Sequence, residues 1–300
     1  MIKLDEKKIR KGKAVGLPYV GSKKKISKKI VEIIKQNFGT DKTVYDVFGG
    51  GGAITAELMI NGIDVVYNDL DKTITDMFNR VLSQDREWIK TLIVSRDEFL
   101  NIRDKENKTV DDELKLLVNS FGNNRIGYLY SNEISDIKYK LVVEIIENED
   151  TFKKYKQTET YSNFISKNDN KNKIGFYGKA ERGNVLEQLQ RLQQLERLQQ
   201  LEQTFETKNK DYKYFSNVKD SILYLDPPYE NTETGSYKSQ VDYQEFYDWA
   251  YEMSKNNIVL LSSYEVSDDR FEGVYEFKNV RSTLSGGNSG KRTEKLFMVK

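Results

Sequence analysis

Four consecutive glycines, Gly49 to Gly52, interrupt the chain directly after Val44-Tyr45-Asp46-Val47-Phe48. Those five residues are β-branched, aromatic or apolar apart from Asp46, which is the composition of a strand. Ala53 to Ile60 reads as a helix, Asn61-Gly62 as its stop, and Ile63 to Tyr67 as a second strand ending at Asn68-Asp69. Strand, glycine turn, helix and strand make a βαβ unit. Its crossover returns the chain in the direction it came from, so the two strands are parallel and the sheet needs cover on both faces. The fold class that follows is α/β with a mostly parallel sheet.

The rest of the chain fits around that unit. Ile26, Ile30, Ile33, Ile34 and Phe38 recur at helical spacing within Lys23 to Phe38. Residues 70–160 read as mostly helical, with amphipathic runs around Met77–Val94 and Leu114–Phe121, and Lys153 to Lys173 reads as polar loop. Leu186, Leu189, Leu192, Leu195, Leu198 and Leu201 recur every third residue. On an α-helix each would lag the last by about 60°, so the apolar stripe winds around the helix and a regular coiled coil is not expected. A packed helix is the expectation, rather than a dimerisation helix. Ser221 to Leu225, Ile258 to Ser262 and Lys295 to Val299 read as further strands, and Phe246 to Met253 as a helix. The expected boundaries are 1–79 and 183–300 for a catalytic domain in two parts, with 80–182 inserted between them.

Composition removes several chemistries. The 300 residues include no histidine and no cysteine. The usual zinc and iron–sulfur ligand sets therefore cannot form, nor can Ser–His or Cys–His nucleophile pairs, and no metal site is expected. No apolar run approaches the roughly 18 residues of a membrane span, and no signal peptide is visible. Residues 1–30 carry eleven Lys/Arg against Asp5 and Glu6, although the whole chain nets only +1. That asymmetry suggests a basic face for nucleic acid, set against the plainer reading of a solvated, partly disordered tail.

The glycine turn lets the backbone approach a ligand closely, and Asp69, at the end of the next strand, follows Gly50 at the separation suited to a carboxylate gripping ribose hydroxyls. Together they point to a nucleoside-containing cofactor. A nicotinamide dinucleotide is disfavoured, because the third fingerprint glycine would fall near Thr55 and Asp46 would repel a pyrophosphate. Gly286-Gly287-Asn288-Ser289-Gly290-Lys291-Arg292 imitates a phosphate loop but is one residue short, and Arg292 stands where Ser or Thr is required.

Asp226-Pro227-Pro228-Tyr229 is the most specific signal. Two of the three prolines sit here, at the end of an apolar strand. Prolines lack N–H donors, so this edge presents a carboxylate and carbonyls, all acceptors. Such a rim suits an exocyclic amino group, which offers two N–H donors. Accepting both from Asp226 and the Pro227 carbonyl would favour a pyramidal nitrogen with a free lone pair. Tyr229 offers a face for a flipped base, worth about 1–3 kcal/mol.

These segments resemble the Dam-like DNA adenine-N6 methyltransferases (D12 class) of the α group, most closely phage-encoded members. Tyr19-Val20-Gly21-Ser22-Lys23 resembles the family's N-terminal aromatic-x-Gly-Gly-Lys element, with Ser22 in place of a glycine; Asp46 to Gly52 resembles the cofactor loop and Asp226 to Tyr229 the catalytic tetrapeptide. The resemblance implies a class I methyltransferase-type (Rossmann-like) sheet with an inserted, mainly helical DNA-recognition domain, and S-adenosyl-L-methionine as cofactor. It implies that Tyr19, Lys23, Asp46, Phe48, Gly50, Gly52, Asp69, Asp211 and Asp226 bind that cofactor, and that Asp226, Pro227, Pro228 and Tyr229 are catalytic. Asp211 would accept from the cofactor's adenine at the end of Phe205 to Tyr212, and Asn119 to Asn123 would begin the DNA-reading region. Implied partners are double-stranded DNA and, where the enzyme is restriction-associated, a cognate endonuclease. A monomer in the cytoplasm of a bacterial or phage-infected cell is expected, with a dimer left open. C5-cytosine methylation is excluded without a cysteine. The alternatives are cytosine-N4 methylation, where Ser usually begins the tetrapeptide, and a catalytically silent DNA-binding regulator.

Overall fold

The computed structural model describes residues 2–19, 21–148, 157–159, 162, 171–201, 205–230, 241–277 and 293–300, with backbone alone at 133 and 171–184. Val20, the Gly286–Arg292 loop and most of the polar stretch 153–173 lie outside these residues. The elements run α1 (Ser27–Phe38), β1 (Val44–Asp46), α2 (Ala53–Ile60), β2 (Val65–Asn68), α3 (Lys72–Leu82), α4 (Arg86–Lys90), α5 (Arg96–Arg103) and α6 (Val110–Asn119). They continue with α7 (Ser135–Glu147), α8 (Lys171–Gln199), β3 (Glu206–Lys208), β4 (Ile222–Leu225), α9 (Tyr243–Ser254), β5 (Ile258–Ser263), β6 (Phe271–Glu276) and β7 (Lys295–Val299). The chain divides into two compact units, one formed by Met1–Gly16, Gly21–Thr75 and Leu201–Lys300 and the other by Leu17–Val20 and Asp76–Gln200.

In the first unit β4 is apolar at every position, and Ile222, Leu223, Tyr224 and Leu225 are all buried. A strand of that kind needs both faces covered. Ile222 and Tyr224 join a core with Ile30, Ile33 and Ile34 of α1 and Ile54 and Leu58 of α2. Leu223 and Leu225 join the opposite core with Phe246, Ala250 and Met253 of α9. The strand order is β3-β2-β1-β4-β5-β7-β6. The pairs β3/β2, β2/β1, β1/β4 and β4/β5 are parallel, and β7 is antiparallel to both β5 and β6. This is the mostly parallel α/β sheet expected from the βαβ unit. Its order reverses at β1, where β2 leaves on one side and β4 on the other, and the crevice outside the carboxyl ends of such strands is where ligands bind in open α/β sheets.

The basic N-terminus packs against α1 and α2, although Lys7, Lys8, Lys11 and Lys13 stay exposed. Lys3 and Asn37 exchange backbone–side-chain hydrogen bonds, Asp5 does the same with Gln36, and Ile2 and Leu4 pack on the α1 core. Arg10 forms a two-point ion pair with Glu57 of α2 at 2.8 and 2.7 Å, and Glu57 is buried. The tail thereby neutralises a carboxylate that would be costly to bury alone.

The second unit is helical among its described residues. The expected boundary at 182 falls inside α8, which runs on to Gln199 and clusters with this unit. Leu189, Leu192, Leu195 and Leu198 are all buried despite their winding stripe. The reason is that α8 has neighbours on several sides, touching α4, α6 and α7. Its buried Arg191 donates to the Val118 and Ser120 carbonyls, both at 2.7 Å, closing the C-terminal end of α6, where a cation opposes the helix dipole. Beyond that cap, an antiparallel bridge between Ser120 and Tyr128 ties off a loop that exposes Phe121 and Ile126.

The elements depart from the sequence expectation at three further places. β1 stops at Asp46 because Val47 and Phe48 already turn toward the glycines. Lys23–Lys25 form a 3₁₀ turn, and α1 begins only at Ser27. β6, with Gly273 and mostly exposed or half-buried positions, carries no continuous apolar signal as an edge strand.

Candidate active site at the carboxyl ends of β1 and β4

Asp46 is the last residue of β1 and is almost completely buried. Its Oδ2 accepts from the Thr55 backbone N–H at 3.1 Å and the Thr55 hydroxyl at 2.7 Å, which fixes it against the first turn of α2. Its Oδ1 is buried and accepts no hydrogen bond. Burial pushes the carboxyl up to about 7, against the help of Thr55, with Asp226 and Asp69 adding repulsion. A buried carboxylate oxygen with no donor fits a cationic ligand group, which would both satisfy it and restore its charge.

The glycine turn is clamped from β2. Asp69 accepts from the Gly50 N–H through Oδ2 and the Asp71 N–H through Oδ1, both at 2.8 Å. The Tyr67 hydroxyl donates to the Gly50 carbonyl at 2.7 Å. Gly49 passes so close to Tyr67 that a Cβ there would lie 2.3 Å from Cε2 of the ring. Gly52, at φ 68°, turns the chain into α2. Burial raises the Asp69 carboxyl above its ordinary range, opposed by its two backbone donors.

The tetrapeptide leaves β4 beside this turn, since Asp46 pairs in register with Tyr224. Lys23 donates to Asp226 Oδ1 at 2.8 Å and to the Tyr229 hydroxyl at 2.5 Å. Tyr229 in turn donates to Glu294 Oε1, which also accepts from the Ser262 hydroxyl at 2.6 Å and lies 3.7 Å from Lys23 Nζ. The Pro228 carbonyl is taken by the Tyr243 hydroxyl of α9, whereas no described residue donates to the Pro227 carbonyl. Burial pushes Asp226 up to about 6; Lys23 pulls it down and Glu294 pushes it further up.

A carboxylate and a carbonyl with no donor among the described residues therefore stand at the end of β4, next to a glycine turn built for close approach and the buried Asp46 oxygen, which has no donor among those residues either. Over residues 19–276 the sequence matches the D12 class N6 adenine-specific DNA methyltransferases. The chain belongs to this family. Two solved structures resemble this methyltransferase distantly. One, assigned as a methylase from Haemophilus influenzae, is 8% identical with a TM-score of 0.34, covering 91% of this chain and 88% of its own. The other, assigned as a methyltransferase from Escherichia coli, is 9% identical with a TM-score of 0.35, covering 95% and 91%. Likeness at that level adds nothing to the family assignment, which rests on sequence. No curated protein sequence matches the chain.

Of the residues expected to serve this methyltransferase, Lys23, Asp46, Phe48, Gly50, Gly52, Asp69, Asp226, Pro227, Pro228 and Tyr229 all lie in the sheet unit. Phe48 packs edge-on against Phe246 at 5.8 Å. Lys23 is turned into the tetrapeptide cluster, and its ammonium also lies 4.8 Å from the centroid of the Tyr229 ring. Asp211 is in the same unit, exposed, and caps the 3₁₀ turn Tyr212–Phe215 by accepting from the Lys213 N–H. Tyr19 clusters with the helical unit instead. Sequence reasoning passed over Glu294, Ser262 and Tyr243. It also passed over Asn68, a buried side chain that donates to the Val47 and Lys210 carbonyls and accepts from the Lys210 N–H, tying the ends of β1 and β2 to the chain after β3. Among the described residues no cluster of three or more metal-ligating side chains occurs, and no helix is long and apolar enough to cross a membrane.

Proposed function

We propose that the chain transfers a methyl group from S-adenosyl-L-methionine to N6 of an adenine rotated out of duplex DNA. The observation that carries this reading is the adjacency of the glycine turn and the acceptor rim on neighbouring parallel strands. Bound cofactor would supply a methyl group already activated on a positively charged sulfur. Asp46 Oδ1 would take the cofactor's ammonium, the one charged donor its burial calls for. Asp69 keeps a lone pair on each oxygen for ribose hydroxyls after its two backbone bonds, and Asp211 is the proposed acceptor for the cofactor's adenine. Tyr19 remains a proposed contact.

Asp226 and the Pro227 carbonyl would accept the two amino hydrogens of the target base, aiming the nitrogen lone pair at the methyl carbon. Once methylated, the substrate nitrogen would carry one proton in excess. The ionised Asp226 carboxylate, held near neutrality by burial, is the base at hand to receive it. Below its midpoint of about 6 a protonated Asp226 would become a donor and face two other donors. Turnover should therefore fall as pH drops through about 6. The exposed Phe121 and Ile126 offer apolar contacts to DNA in the proposed recognition unit.

Incubation with methyl-labelled cofactor and duplex DNA, structured RNA or protein is expected to label the DNA alone, with the acid limb at the pH just given. Label in RNA or protein and none in DNA would contradict the reading.

A further inference from the structure

One buried carboxylate in the site has no role in the scheme above. Glu294 precedes β7, is 5% exposed, and accepts at a single oxygen from the Tyr229 and Ser262 hydroxyls, with the Lys23 ammonium 3.7 Å away. Two serine and tyrosine hydroxyls would satisfy an amide equally well, so satisfaction alone does not call for a negative charge there. The cluster holds two carboxylates, Asp226 and Glu294, and one ammonium, Lys23.

The directions of the hydrogen bonds matter. The Tyr229 hydroxyl donates to Glu294 and also lies within hydrogen-bonding reach of Asp226; its lone pairs are left to accept from Lys23, and Lys23 donates to Asp226 Oδ1. Glu294 therefore sets the orientation of the whole relay from its far end. It also competes for the ammonium that would otherwise neutralise Asp226 entirely. We infer that Glu294 is a positioning residue of the methyl-transfer site, locking the Tyr229–Lys23–Asp226 relay and sharing the Lys23 charge so that Asp226 stays a strong acceptor for the substrate amine. The inference rests on the reading proposed above and adds a residue to that site.

The charged and titratable groups facing Asp226 are Lys23, Glu294 and Tyr229, with Tyr224 on its own strand and Asp46 on the adjacent one. Beside burial, Glu294 is the carboxylate that holds Asp226 up, while Asp226 in turn pushes Asp46 up. Removing the Glu294 charge in Glu294→Gln should lower the Asp226 midpoint by about one pH unit, the usual effect of one like charge at this range.

The test is a carbon-13 NMR titration of the full chain labelled at its Asp and Glu carboxyl carbons, with Asp226 assigned from its loss in Asp226→Asn. Glu294→Gln is expected to move the Asp226 midpoint down by that unit, and Glu294→Asp, which keeps the charge, to restore most of it. In the unmodified chain the Glu294 carboxyl signal, assigned from its loss in Glu294→Gln, should respond at the Asp226 midpoint. In parallel, kcat of Glu294→Gln should drop roughly ten-fold, with the cofactor KM nearly unchanged and the acid limb displaced in the same direction. An Asp226 midpoint unmoved in Glu294→Gln, or a Glu294 signal silent at that midpoint, overturns the inference. Absence of methyl transfer by the unmodified chain would sink the proposed reaction while leaving the titration to decide the role of Glu294.

Discussion

Replacing Asp226 with alanine is expected to reduce turnover at least about 10³-fold, the scale lost when a site gives up its main electrostatic partner for the reacting group. The fold should survive. Burial pushes the Asp226 carboxyl up, and Lys23 keeps a partner in Glu294 once Asp226 is gone. Cofactor affinity should fall by less than about 100-fold, because Asp46 and Asp69 remain in place. Asp226→Asn separates shape from charge: it keeps one acceptor oxygen but cannot take up the proton, so its turnover should lie between the alanine variant and the unmodified chain. Single-turnover methyl transfer together with equilibrium cofactor binding distinguishes these effects. Alanine retaining a tenth or more of the rate would remove Asp226 from the chemistry.

Gly49→Ala should have the largest structural effect of any single methyl group added to the site. The new Cβ would stand 2.3 Å from Cε2 and 2.4 Å from Cδ2 of Tyr67, and 3.1 Å from the Asn68 carbonyl. Tyr67 cannot swing aside, for its ring is completely buried and its hydroxyl is bound to the Gly50 carbonyl. Nor can the turn lift away without breaking the 2.7 Å bond from the Gly49 N–H to the Asn68 carbonyl and the Gly50–Asp69 bond beyond it. Overpacking of this kind costs about 1–3 kcal/mol or more, and the relief lies in displacing the loop that would hold the cofactor. Thermal unfolding is expected to move down by roughly 5 °C or more, with cofactor affinity reduced at least about ten-fold. Gly127→Ala is the matched control, since a Cβ there meets nothing within 4 Å, and its stability should stay within about 0.5 kcal/mol of the original.

Local chemistry made the centre of this molecule readable before its structure. The glycine run after Val44–Phe48 demanded a βαβ unit, and the sheet places that turn next to the strand carrying Asp226-Pro227-Pro228-Tyr229. The three-residue leucine period was read as a packed helix, and α8 is one, its stripe absorbed by neighbours on several sides. What was missed depended on partners far away in sequence. Glu294 looks like one more acid before a terminal strand, and only the antiparallel course of β7 brings its start to the carboxyl end of β5, beside Ser262. That signal was available in principle: a serine ending an apolar central strand, at the end of the sheet where ligands bind. The Arg10–Glu57 pair stays hidden for a related reason, because nothing local shows that a residue 47 positions away is its buried partner. Asn68 was read only as the end of a strand, although its amide joins three loops.

In the proposed reaction the acceptor rim after β4 receives an exocyclic amine and the turn after β1 presents the methyl donor to it. Duplex DNA incubated with the protein and methyl-labelled S-adenosyl-L-methionine, digested to nucleosides and separated, tests it most directly. All label should run as N6-methyldeoxyadenosine and disappear with Asp226→Ala; label in a methylated cytosine, or label in adenine that persists in that variant, would contradict it.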